Sequence, residues 1–124
     1  MANVLGSRPD GWWRDRAAAS GRLIDRLATL VGTEVIDPAG RTVRVDRLIA
    51  VLEGAARTAG PTSTGGVEVV DADRDGDSTI AALARDLSTE AGLLVVTADR
   101  GLRQRLPPAA TAAGPDWLNR LIGR

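Results

Sequence analysis

The sequence predicts an α/β domain with a mainly parallel sheet. Three observations carry that prediction. The stretch 67–106 reads strand, helix, strand, helix, because the β-branched run Val67–Val70 and the apolar run Leu93–Val96 alternate with segments of helical period. Each of those two runs stops at carboxylates, an aspartate series at Asp71, Asp73, Asp75 and Asp77 after the first and Asp99 after the second. The same alternation extends through the rest of the chain, and alternation of this kind gives a parallel sheet with helices on both faces. Ligands of open parallel sheets bind in the crevice outside the C-terminal strand ends, so the sequence points to an acidic mouth there.

The elements follow in order. Ser7-Arg8-Pro9-Asp10-Gly11 reads as a turn, with Asp10 placed to cap a helix. From Trp12 to Val31, Trp13, Ala17, Ser20, Ile24, Leu27 and Val31 recur three or four apart, and Gly32 suits the position just past a helix end. Asp37-Pro38-Ala39-Gly40 is a turn. Leu48–Leu52 reads as a buried strand ending at Glu53-Gly54, and Ala55–Ala59 as one helical turn. Gly60–Gly66, GPTSTGG, reads as a flexible loop. The next helix carries Ile80, Leu83, Ala84 and Leu87, and the one after Asp99 carries Leu102 and Leu106 before Pro107 and Pro108 break it. Ala109–Ala113 is weakly patterned and suits a last short strand. Gly114-Pro115-Asp116 then opens a C-terminal helix with Trp117, Leu118, Leu121 and Ile122 on its apolar side. A chain of 124 residues suits a single domain over 1–124, large enough to bury a core without disulfides. The segment Met1–Gly6 offers no leading strand, although an α/β domain that opens with a helix ordinarily has one before it.

Composition removes several chemistries. The chain has no histidine and no cysteine, which excludes Ser-His triads, thiol catalysis and His- or Cys-ligated zinc. Every one of its 16 basic residues is arginine, which excludes a phosphate-loop lysine and Schiff-base chemistry. The formal charge is zero, so an overall basic footprint for nucleic acid is absent, though a local patch is compatible with it. No apolar run approaches the ~18 residues of a membrane span, and no leader pattern is visible, so the expected location is the cytoplasm with no membrane partner. What remains for catalysis is carboxylates, Arg, Ser/Thr, Asn and a hard cation.

The aspartates contain a decoy. Asp71, Asp73, Asp75 and Gly76 match the start of a calcium-binding EF-hand loop, but its twelfth position, which needs a bidentate acid, is Ala82, and a strand rather than a helix precedes it. A bland reading of Asp75 or Asp77 is a cap on the next helix, and of Asp99 a cap on the segment beginning at Arg100. The functional reading makes Asp77 and Asp99 metal ligands. Two carboxylates from neighbouring strand ends repel one another, and Mg²⁺ or Mn²⁺ relieves the repulsion while activating a water for phosphodiester hydrolysis. Asp75 and Glu53 are further candidate ligands. Trp12 and Trp13 could stack on bases, although such residues more often anchor helices. Gly-rich phosphate loops, the Nudix pattern and paired E-x-x-E helices are absent.

The segment GDSTIAALARDLSTEAGLLVVTADRGLRQRL resembles the second half of a NYN domain, the YacP-like branch of the PIN-like ribonucleases. Asp77 and Ile80 match that family's A-D-D-x-I helix start. Thr97, Ala98, Asp99 and Arg100 match its V-T-S-D-R strand end, with Ala98 in place of Ser. The family's first motif is a strand ending D-x-x-N. Asn3 matches its Asn, and the matching Asp would lie one residue before Met1. The resemblance therefore implies a chain that begins inside the first motif through truncation or a mis-called start, with poor stability if the central strand is truly missing. An in-frame stop codon just upstream would exclude the mis-called start.

The resemblance further implies a three-layer α/β/α, PIN-like fold with its first strand missing or incomplete. It implies Mg²⁺- or Mn²⁺-dependent cleavage of RNA, with Asp77 and Asp99 as ligands and Asn3 orienting the site. Arg100, Arg103 and Trp12 are the expected RNA contacts. The expected function is thus a metal-dependent ribonuclease. A catalytically degenerate RNA- or partner-binding module is the alternative, and NTP pyrophosphohydrolysis a second one that these residues do not favour. Neutral charge, Ala98 and the missing Asp lean toward the binding module.

Overall fold

The computed structural model of the chain describes residues 16–52, 63–64, 66–72, 76–87 and 92–123. The element order is α1 (Arg16–Ala28), β1 (Glu34–Ile36), β2 (Thr42–Arg44), β3 (Leu48–Leu52), β4 (Ser63–Thr64), β5 (Val67–Asp71), α2 (Gly76–Leu87), β6 (Leu94–Val96), α3 (Arg100–Arg105), β7 (Thr111–Ala113) and α4 (Pro115–Leu121). The expected turn at Ala55–Ala59 lies outside the described residues.

Helix α1 forms because Ala19, Leu23, Ile24 and Leu27 fall on one side at helical spacing, and all four are buried. It stops at Ala28, short of the expected Val31. Three successive bonds of i to i−3 type, from Thr29 N to Arg26 O, Leu30 N to Leu27 O and Val31 N to Ala28 O, tighten the last turn. The Thr29 hydroxyl also donates back to Arg26 O at 2.6 Å. Gly32 then takes φ +82°, the left-handed conformation foreseen for it.

The segment expected to contain only a turn at 37–40 is a hairpin, with β1 and β2 antiparallel and Val35 opposite Val43. Asp37 shapes it: its Oδ1 accepts from Ala39 N at 3.0 Å and Arg41 N at 2.8 Å. Strands β3 and β5 are parallel, pairing Leu48 with Val67 through to Leu52 with Asp71. Strand β4 falls inside the expected flexible loop and pairs antiparallel with β5, giving the order β3-β5-β4. Strands β6 and β7 form a second parallel pair, with Val95 opposite Ala112. The described residues thus form two parallel and two antiparallel strand pairs in three sheets, a mixed α/β arrangement compatible with the expected α/β class. Among the described residues no ladder joins the two parallel pairs.

One face of β3 and β5 presents Leu48, Ala50, Leu52, Val67 and Val69 to α1, and Leu118 of α4 completes the buried cluster. Val96, Trp117 and Ile122 pack against the same cluster, which brings β6 and α4 to it. Val51 alternates to the other face and is also buried. Helix α2 packs against β3 and against α3, with Ala81 and Ala84 buried. Arg26 ties α1 to the end of α4, its Nη1 donating to Ile122 O at 3.3 Å and Gly123 O at 3.2 Å.

Candidate active site at the strand ends

Strand β5 ends at Asp71, and the ladder runs one step further through Ala72 N to Leu52 O at 2.7 Å. Asp71 Oδ1 is buried and has no hydrogen-bond partner among the described residues. A buried carboxylate oxygen left unpaired is costly, and an ion or ordered water is the usual explanation. Asp77 follows in the first turn of α2, half-buried, where its charge suits the positive end of the helix dipole.

The end of β6 is a hydrogen-bonded turn into α3. Thr97, 1% exposed, continues the ladder by donating its N–H to Ala113 O at 2.9 Å. Its hydroxyl accepts from Asp99 N at 3.1 Å. Asp99 takes an extended backbone, and its Oδ1 accepts from Leu102 N at 2.9 Å. Asp99 is thus the N-cap of α3, the role its position before Arg100 suggests. That bond uses one carboxylate oxygen and leaves the second available. Gly101 keeps this cap open, because a Cβ there would stand 3.1 Å from Asp99 Oδ1. Arg103 folds back, donating from Nε at 3.3 Å and Nη2 at 3.0 Å to the Thr97 carbonyl. Arg100 is exposed beside Asp99.

The expected site residues are therefore distributed unevenly. Asp99 caps α3 three residues past the end of β6, and Asp77 lies in the first turn of α2, six residues past the end of β5; the two helices pack together. Asn3, Trp12, Glu53 and Asp75 lie outside the described residues. Among the described residues no three acidic side chains gather into a group able to hold a metal. The decoy calcium loop is not formed as such, since Asp71 belongs to β5 and Gly76 already to α2. Sequence reasoning passed over Asp71 as a site residue, although its place directly after Val69-Val70 marks it as a strand-end carboxylate. It also missed the Thr97–Asp99–Arg103 brace, for which the T-x-D spacing followed by Arg was the available signal.

Hard oxygen donors of this kind suit Mg²⁺ or Mn²⁺, which bind through one or two carboxylates and keep several waters. The Asp71 oxygen left unpaired among the described residues and the second Asp99 oxygen fit that chemistry, and Asp77 is the other expected ligand that is described. Away from the strand ends, Glu68 is held below the usual carboxylate range. The largest cause is its hydrogen bonds from Arg47; desolvation opposes the shift, and the Arg47 charge adds to it. Among the described residues no helix is long and apolar enough to cross a membrane. Comparison with known proteins finds no family, no curated protein and no solved structure that this chain matches.

Proposed function

We propose that this chain is a metal-dependent nuclease acting on RNA, built as a NYN-type, PIN-like, three-layer α/β/α domain. The observation that carries the reading is that Asp99, three residues past the end of β6, and Asp77, six residues past the end of β5, stand at the starts of two helices in contact. The layering is supported by the two buried faces of β3. The two parallel pairs would join into one sheet if a further parallel strand lay between β3 and β6. Val96 of β6 shares a cluster with Ala50 and Leu52 of β3, and each of the two strands has one edge without a ladder partner among the described residues.

In this reading Asp77 and Asp99 hold Mg²⁺ or Mn²⁺, with Asp71, Asp75 and Glu53 as further donors. The metal when bound supplies an activated water for phosphodiester hydrolysis. Arg100, exposed beside Asp99, offers its guanidinium to a phosphate. Asn matches Asp as a helix cap, so Asp99→Asn removes the charge and keeps the turn. The parent is expected to cleave single-stranded RNA with Mn²⁺ and to stop with EDTA, and Asp99→Asn and Asp77→Asn are expected to be inactive yet folded. Cleavage by Asp99→Asn at the parent's rate overturns the site.

One observation favours a second reading, a binding module on the same fold. The Asp99 carboxylate already spends one oxygen on the Leu102 amide. RNA binding that persists in EDTA, with no cleavage by the parent, selects it. Release of pyrophosphate from nucleoside triphosphates would instead select nucleotide hydrolysis.

A further inference from the structure

We infer that Arg103 is a positioning residue for the Asp99 carboxylate, acting by holding the Thr97 carbonyl. The inference rests on the reading of Asp99 as a metal ligand for its functional meaning, but its geometry stands by itself. Residues 97–103 close on themselves through four contacts. Thr97 Oγ1 accepts from Asp99 N, Asp99 Oδ1 from Leu102 N, Asp99 O from Arg103 N at 3.1 Å, and Thr97 O from two nitrogens of the Arg103 guanidinium. The strand-to-helix turn that presents Asp99 is therefore braced from both ends.

The anchor of this brace is rigid. Thr97 is buried and joined to β7 through Ala113 O. The guanidinium also lies against the start of α4, where a Cβ on Gly114 would be 3.7 Å from Arg103 Nη2. A two-donor grip on one carbonyl needs the forked planar guanidinium; a lysine ammonium is a point donor on a flexible stem. Asp99 and Arg100 are exposed. The hydrogen bonds of the turn, with Arg103 closing the ring, set where the second Asp99 oxygen points. Arg103 was expected from sequence to be an RNA contact, and a residue acting only as such would leave amide exchange in the RNA-free turn unchanged when substituted.

The test uses the full chain with Arg103→Gln, Arg103→Lys and, as a control, Arg105→Gln. Amide hydrogen exchange is read at Leu102 and Arg103, with Val69 in β5 as the reference, and Mn²⁺ affinity is read by electron paramagnetic resonance. Arg103→Gln is expected to speed exchange at Leu102 and Arg103 by about tenfold, with Val69 unchanged, because a lost charged hydrogen bond is worth roughly that factor. Mn²⁺ affinity should fall with it, Arg103→Lys should restore part of both, and Arg105→Gln should change neither. Unchanged exchange at Leu102 in Arg103→Gln overturns the inference. So does an equal rise at Val69, which would mean that the substitution only lowers global stability. Faster local exchange in a protein whose parent binds no Mn²⁺ supports the brace and removes the metal reading of Asp99.

Discussion

The indole Nε1 of Trp117 donates to the carbonyl of Ile36 at 3.1 Å, across 81 positions of sequence. This bond links α4 to the β1–β2 hairpin, while the body of the Trp117 ring packs against the central cluster. Ile36 itself is 58% exposed, so its side chain does little to hold the hairpin down. Trp117→Phe keeps an aromatic ring and deletes the donor. The lost hydrogen bond is expected to cost about 0.5–1.5 kcal/mol, toward the lower figure because water reaches the site, and the smaller ring adds the loss of part of the indole's packing on the cluster. A urea titration should show a lower midpoint at unchanged slope. Hairpin amides such as Val43 should lose exchange protection before those of β5.

Gly66 and Val31 form a second link, between the turn entering β5 and the end of the first helical segment. Gly66 has φ +89°, and a Cβ on it would stand 3.3 Å from Val31 Cγ1. Gly66→Ala therefore meets both backbone strain and a tight contact, and a loss of about 1–3 kcal/mol is expected. Gly92 separates the two effects, since it has φ +81° with nothing within 4 Å of its would-be Cβ. Gly92→Ala should show the backbone cost alone. Val31→Ala should then recover part of the loss in a Gly66→Ala background, by a double-mutant cycle.

The parallel strands and the helices were legible because their signals are strong and local. Leu48–Leu52 is an apolar run and Val67–Val70 a valine-rich one, both bounded by polar or glycine residues, and both form strands within a residue of the expected limits. The weakly patterned Thr111–Ala113 also forms a strand, and Pro115 opens α4 at the place a proline favours. The β1–β2 hairpin was not legible. Its strands are three residues long, too short for an alternating signal, and most of their side chains face solvent. Strand β4 was hidden in GPTSTGG because two residues are held there by pairing with β5, which is a tertiary cause. At the site, Asp99 was found because it ends an apolar run. The use of its carboxylate as a cap and the inward turn of Arg103 depend on backbone geometry that residue spacing does not specify.

Asp99 gives a prediction about stability that is independent of any activity. Its Oδ1 satisfies the Leu102 amide, one of the orphan donors at the start of α3. Asp99→Ala should cost about 1 kcal/mol, while Asp99→Asn, an equally good cap, should melt close to the parent. Thermal unfolding of the three proteins checks the ranking. Equal melting of Asp99→Ala and the parent would mean that α3 draws its stability from the burial of Leu102 rather than from its cap.

Arg47 and Glu68 give a prediction in pH. Arg47 Nη2 donates to Glu68 Oε1 at 3.0 Å and Nε to Oε2, a two-point grip. It lowers the Glu68 pKa from its ordinary 4.5, chiefly through the hydrogen bonds, against an opposing desolvation and with help from the Arg47 charge. The unfolded chain therefore takes up this proton at a higher pH than the folded one. The pair's contribution is complete above the ordinary glutamate value and is lost as pH falls through the lower folded value. Both side chains are about half exposed, 50% for Arg47 and 43% for Glu68, so solvent screens the pair and its worth is only about 0.2–1 kcal/mol. Glu68→Gln should trail the parent by that amount at pH 7 in low salt. The gap should narrow in molar salt and close near pH 2, where both proteins carry a neutral group at this position. Urea midpoints of the two proteins along a pH series measure it. A gap that stays constant down to pH 2 would show that the carboxylate contributes through packing on β5 rather than through its charge.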